Sequence, residues 1–262
     1  MAESELSLTW ADIKAVVGFY VGFGPESRPW TTPQQDRMDL MLRLGYAQAL
    51  KPPPLPGKEK AHLWRFLEPI DTVTTADDDY DIDLPADFGG IIGPLTWSTT
   101  GGSRLEIPII NEGQIRAMRQ NNTLSGRPQY AAVRPKAGFT GAAATAREMI
   151  FYPTPDATYV FTYKKRLLVA NKLDSGNTYP VGGMDFAQLV LASCLAVAER
   201  EFYRGQTDKQ GLFIQELAAA VSKDSSYAPD TLGPNLDQGR CDVRNRRGFY
   251  EGQFTHNGNP TG

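Results

Sequence analysis

The run LVLASCLAVA, residues 189–198, is apolar on nearly every side of a helix. A helix of that kind has no face to offer to water, so the rest of the chain has to surround it. It lies within MDFAQLVLASCLAVAEREFYRG, whose charges gather at the far end, and the pattern predicts a helix over 183–204 at the centre of a bundle. The run's ten residues are about half of the ~20 needed to cross a bilayer, which makes this a core helix and not a membrane span.

Three further segments have the spacing to cover it. Residues 8–20 place Ile13, Val16, Val17 and Tyr20 on one face, with Ser7 or Thr9 as N-cap. Residues 33–50 begin with a proline in the first turn and align Met38, Met41, Leu42 and either Leu44 or Tyr46. Residues 208–223 carry Leu212, Phe213, Leu217 and Val221 on one stripe.

Between the second and third helices the pattern changes. KPPPLPG, 51–57, cannot continue a helix. From Leu63 to Leu168 the chain breaks into short segments punctuated by proline and glycine: HLWRFLEP, DYDIDLPADF, GPLTWSTT, SRLEIPII, RPQYAAVRP and REMIFYP. This is the texture of a small antiparallel sheet or barrel. NEGQIRAMRQNN, 111–122, reads as one short helix among the strands, with Ile115 and Met118 facing inward. The expected fold class is α+β: a bundle of about four helices with a β-rich insertion of short antiparallel strands and an extended C-terminal tail. Its divisions are an N-terminal helix pair over 1–55, the insertion over 56–178, the closing helices over 179–227 and the tail over 228–262.

In FYPTPDATYVFTYKKRL, 151–167, two aromatic runs flank Pro153-Thr154-Pro155-Asp156, and the turn chemistry predicts a hairpin. Period two puts Tyr159, Phe161 and Tyr163 on one face, an aromatic ladder. The cationic end, Lys164, Lys165 and Arg166, has the sign to pair with the acidic run ADDDYDIDLP. There Tyr80, Ile82 and Leu84 are expected to turn inward while Asp79, Asp81 and Asp83 turn outward, as a solvated face or an edge-strand charge guard.

Composition narrows the function. Lys and Arg number 27 against 30 Asp and Glu, a net charge of −3, so any attraction for nucleic acid or acidic lipid has to be local. The mean hydropathy of −0.37 fits a globular chain. The N-terminus lacks the features of a secretory signal, and two cysteines, Cys194 in an apolar run and Cys241 in a polar one, suit a reducing compartment.

Motifs for chemistry are scarce. His62 and His256 have no second ligand at a useful spacing, and GxSxG, GxxxxGK[ST], HExxH and paired CxxC are lacking from the sequence. Gly18, Gly22 and Gly24 follow a helix and read as its stop. Clustered aspartates without calcium-loop spacing, a buried Cys194 thiol, and Asp185, Glu199 and Glu201 as helix-end charges complete a reading with no catalytic residue, cofactor or metal. GRCDVRNRRGFYEGQF, 239–254, is the exception. Arg244, Arg246 and Arg247 beside Phe249 and Tyr250 suit docking on a protein, with aromatic anchors and arginine forks. They also have the composition of a single-strand binder, though Asp237, Asp242 and Glu251 dilute the charge, or of a merely solvated tail.

The layout resembles the head-to-tail adaptor, or connector, proteins of tailed bacteriophages, of the podovirus type. The resemblance rests on TWADIKAVVGFYVGFG and PQQDRMDLMLRLGYAQAL at the start, on FYPTPDATYVFTYKKRL, and on TYPVGGMDFAQLVLASCLAVAEREF. It spans most of residues 8–224 and is one of arrangement, without a catalytic string. It implies a virion protein without an active site, made in the host cytoplasm and resident in the neck. About twelve copies would form a ring between the portal protein and a tail tube or nozzle protein, extending the DNA channel and helping retain packaged DNA. No membrane partner is implied. Arg244, Arg246, Arg247, Phe249 and Tyr250 would dock on the portal. Lys164, Lys165, Arg166, Asp79, Asp81 and Asp83 would pair within or between subunits. The competing readings are a DNA-binding protein using the arginine- and aromatic-rich tail, and a virion-associated hydrolase using carboxylates.

Overall fold

A computed structural model describes residues 3–24, 29–98, 106–136, 146–203 and 208–226. The fold is mixed α+β. Helix α1 is Trp10–Tyr20 and α2 is Thr32–Leu50. Strands β1 (Ile70–Thr74), β2 (Asp81–Asp83) and β3 (Phe88–Trp97) precede α3 (Glu112–Asn121). Strands β4 (Tyr130–Pro135), β5 (Arg147–Tyr152) and β6 (Val160–Leu167) follow, then α4 (Met184–Phe202) and α5 (Asp208–Ser226). One compact unit runs to Val221, and a second begins at Ser222.

The helices start where their caps dictate. Thr9 rather than Ser7 caps α1: its hydroxyl accepts from the Asp12 amide at 3.1 Å while the Asp12 carboxylate accepts from the Thr9 amide at 2.9 Å. At α2, the Gln34 side chain accepts from the Thr31 amide at 2.9 Å. The buried face of α1 is Ile13 and Val17; Val16 is 44% exposed. On α2 it is Tyr46, not Leu44, that turns inward, and its hydroxyl accepts from the Val181 amide at 3.1 Å. Helix α4 is buried from Phe186 to Glu199 except at Gln188 and Leu191, so it occupies the central place its apolarity demands. Phe213 and Leu217 of α5 join the same core.

Helices α2 and α4 approach closely at Gly45. A Cβ on Gly45 would stand 2.6 Å from both the Cα and the Sγ of Cys194. The adjacent Ser193 hydroxyl donates to the Gly45 carbonyl at 2.8 Å. Burial pushes the Cys194 thiol up to about 12, so it acts as packing.

The insertion is two facing antiparallel sheets, ordered β1-β6-β3 and β2-β5-β4. In the first, Val73 opposes Phe161 on one side of β6, and Ile91 opposes Lys165 on the other. In the second, Ile82 and Val133 both oppose Met149 of β5. Val73, Phe88, Leu95, Phe161 and Tyr163 of the first sheet meet Ala131, Met149 and Phe151 of the second. On the far face of the second sheet, Ala132 and Ile150 are covered by Ile115 of α3, giving three layers.

Three expectations change. The hairpin at 151–167 is not formed: β5 and β6 lie in different sheets, and the chain crosses from one to the other. The crossing segment spends its backbone groups elsewhere. The Thr154 amide donates to the Leu124 carbonyl at 2.9 Å, its carbonyl accepts from Gly126 at 2.8 Å, and the Pro155 carbonyl accepts from Asp78 at 2.9 Å. Phe151 and Phe161 therefore stack across the core, centroids 5.6 Å apart, instead of pairing along a ladder. HLWRFLEP is a 3-10 turn at Arg65–Leu67, because Trp64 is claimed by the helical core, where its indole donates to the Ala49 carbonyl at 3.0 Å. The described part of SRLEIPII, 106–110, yields bridges at Ile107 and Ile109, with a proline between them that has no N–H to offer.

Two glycines make opposite predictions for the helices. Gly45→Val should lower stability by about 1–3 kcal/mol through overpacking against Cys194. Gly211→Ala, where a Cβ meets nothing within 4 Å, should raise it by about 0.5 kcal/mol. Urea unfolding of the two variants distinguishes these signs.

Candidate functional site

Charge is concentrated in two clusters, one in each sheet. In the first sheet, period two that puts Phe161 and Tyr163 inward also puts Lys165 inward, and it is only 6% exposed. A buried ammonium requires anionic partners. Its Nζ donates to both carboxylate oxygens of Asp87, at 2.9 and 3.0 Å, and lies 2.9 Å from the Asp71 carboxylate. Asp71 belongs to β1 and Asp87 immediately precedes β3, so one side chain ties together the three strands of its sheet. Burial works against the Lys165 charge, but the hydrogen bonds and charges of Asp87 and Asp71 outweigh it and raise its pKa. The hydrogen bond from Lys165 holds the Asp71 carboxyl below its ordinary value. The buried Tyr163 phenol, beside the Asp71 charge, is pushed up to about 12.

In the second sheet, Arg134 of β4 pairs with Glu148 of β5 and lies 3.7 Å from Asp81 of β2, while Lys136 pairs with Asp83. The Asp79 carboxylate accepts from the Asp81 amide at 3.4 Å. Burial, then the neighbouring charges of Glu148 and Asp79, raise the Asp81 pKa. Tyr80 carries the Arg119 guanidinium over its ring at 3.7 Å, and Arg119 donates to the Thr154 hydroxyl at 3.1 Å.

The two runs of opposite charge therefore do not pair with each other inside the chain. Lys164, on the outer face of β6, pairs with Glu68; Lys165 takes Asp71 and Asp87; Arg166 is exposed. Asp81 and Asp83 take Arg134 and Lys136. The physical reason is the lost hairpin: the runs sit in separate sheets, each with nearer partners. Glu199 is a further correction. Only 2% exposed, it is no solvated helix end; its carboxylate accepts from the Lys209 amide at 3.0 Å in the first turn of α5 and from the Tyr20 hydroxyl at 3.4 Å.

A cleft of about 290 Å³ opens where the end of α2, the segment around Trp64 and the ends of β3 and β6 come together. Leu50, Pro52, Leu63, Trp64 and Leu168 make its apolar walls, and Lys51, His62 and Arg166 add polar groups. The His62 ring stands edge-on to Trp64 at 4.7 Å. Among the described residues, no three His, Cys, Asp or Glu side chains are grouped to hold a metal ion. No helix among them is long and apolar enough to cross a membrane. Arg244, Arg246, Arg247, Phe249 and Tyr250, and with them His256 and Cys241, lie outside the described residues.

Asp71, Asp87, Glu68, Arg134 and Glu148 are the structural partners that sequence reasoning did not single out. One signal was available for the first two: a lysine in phase with an aromatic ladder has to meet carboxylates from the flanking strands. Compared with known protein families and with curated proteins, the chain matches none.

Reversing the three basic residues one at a time separates their roles. Lys165→Glu sets a buried carboxylate against the half-exposed ones of Asp71 and Asp87 and should cost about 3–5 kcal/mol. Lys164→Glu and Arg166→Glu, on exposed positions, should each cost less than about 1 kcal/mol. The pH dependence has a definite sign. A carboxyl whose folded pKa is depressed stabilises fully above its unfolded value, 3.8 for Asp71, and loses that contribution as pH falls through the folded value. Lys165→Met should flatten this acid limb of the unfolding free energy, measured by urea titration across the acidic range.

Proposed function

We propose that this chain is a structural adaptor of a tailed bacteriophage, made in the host cytoplasm and built into the neck of the virion. About twelve copies form a ring between the portal protein on one side and a tail tube or nozzle protein on the other. The ring extends the channel through which packaged DNA passes and helps retain that DNA. The function is carried by surfaces and uses no active site, cofactor or membrane partner.

The observation that carries this reading is the order of parts. Helices α1 and α2 before the insertion share one hydrophobic core with α4 and α5 after it, and a polar segment bearing arginines and aromatics follows α5. That is the arrangement of the connector proteins the sequence resembles. The charge clusters of the two sheets lend support, since Lys165 and Arg134 act as ties between strands. On this reading Arg244, Arg246, Arg247, Phe249 and Tyr250 dock on the portal, their rings filling apolar pockets and their guanidinium groups meeting carboxylates. Asp79, Asp81, Asp83, Lys164 and Arg166 remain candidates for contacts between subunits, whereas Lys165 is committed to its own sheet.

Deleting residues 228–262 should leave a chain with unchanged helical circular dichroism and cooperative unfolding that no longer co-sediments with purified portal rings. Undiminished portal binding by the truncated chain would refute the assignment of docking to this segment.

A further inference from the structure

The N-terminal turn and the cleft beside Trp64 are complementary. Leu6 is 76% exposed. It is held in that position. The Ser7 amide donates to the Ser4 carbonyl at 3.0 Å, the Leu6 amide donates to the Ser4 hydroxyl at 3.2 Å, and Ser7 itself is buried. Glu3 and Glu5, both exposed, precede it, so the turn presents one apolar side chain with two carboxylates on its N-terminal side.

The cleft has the opposite character. Its walls are leucine, proline and tryptophan; Lys51 and Arg166, both exposed, lie at its edge; and no carboxylate is among its described lining residues. Gly89 leaves part of one wall as bare backbone, since a Cβ there would come within 3.0 Å of the Arg166 carbonyl. An apolar floor with two cations beside it suits a leucine side chain bordered by carboxylates.

Turn and cleft also lie near each other in one chain. A Cβ on Gly183 would meet the Glu3 carboxylate at 3.1 Å, one on Gly182 would meet the Phe66 ring at 3.0 Å, and Phe66 stacks at 5.6 Å on Trp64, which lines the cleft. Donor and receptor thus flank one aromatic cluster. Two copies related by a two-fold axis can each give and receive at once, a self-complementary contact.

We propose that the cleft receives Leu6 of a second copy of this chain, with Lys51 and Arg166 facing Glu3 and Glu5 across the contact. This goes beyond the adaptor reading and does not depend on it. One apolar anchor on each side, bordered by exposed ion pairs, makes a weak dimer whose formation depends on concentration and is reduced by salt.

Sedimentation velocity of the full chain over a wide concentration range tests the contact. The wild type should pass from monomer to dimer as concentration rises. Leu6→Glu and the pair Lys51→Glu with Arg166→Glu should each weaken association by about tenfold or more. These side chains are exposed, so circular dichroism and thermal unfolding should be unaltered. Adding Glu3→Lys and Glu5→Lys to the reversed cleft should restore the dimer. A wild type that stays monomeric throughout, an association indifferent to Leu6→Glu, or a charge swap that restores nothing would each overturn the proposal.

Discussion

Lys165 sits where the alternation of β6 calls for a core side chain, and its ammonium holds the carboxylates of Asp71 and Asp87 from either side. The position matters because β6 belongs to both halves of the compact unit. Phe161 and Tyr163 build the core between the sheets, while Leu167 and Val169, a few residues on, pack against the helical core. Lys165 lies at the changeover, where the strand leaves one core for the other. Its ion pairs fix the three strands of the sheet at that point. An unpaired charge there would be too costly to keep.

The bundle is organised around a constraint of a different kind. The nearly all-round apolarity of α4 requires neighbours on every side, and Gly45 lets α2 approach until the backbone at Cys194 is in contact range. The buried carboxylate of Glu199 then receives the first turn of α5 through the Lys209 amide. Packing thus selects the neighbour and a polar contact sets the direction of the next helix. The sheets show the same division of labour between the Phe151–Phe161 stack and the Lys165 and Arg134 clusters.

Strong local periodicity was readable in the sequence. Helices α1, α2, α3 and α4, the inward set Ile13, Val17, Met38, Met41 and Ile115, and the aromatic face of β6 follow from spacing alone. What failed was partnership over distance. FYPTPDATYVFTYKKRL has the look of a hairpin, because proline and aspartate punctuate two aromatic runs, yet local turn chemistry cannot say whether the strands beyond a turn pair or face each other. Strand β1 escaped notice because its exposed and half-buried threonines and aspartate leave Val73 as its one buried side chain. Glu199 looks like a helix-end charge in sequence, and only the return of α5 buries it. The clusters around Lys165 and Arg134 were hidden for the same reason: their members come from segments far apart in the chain. The Leu6 turn and the cleft beside Trp64 left no mark on any motif.

On the adaptor reading proposed above, the charge clusters serve architecture and the arginine-rich end serves assembly. Electron microscopy of particles formed when this gene is deleted from its source genome tests that account most directly. The account predicts heads that carry a portal but no attached tail, with DNA leaking or retained poorly. Normal tailed particles would contradict it.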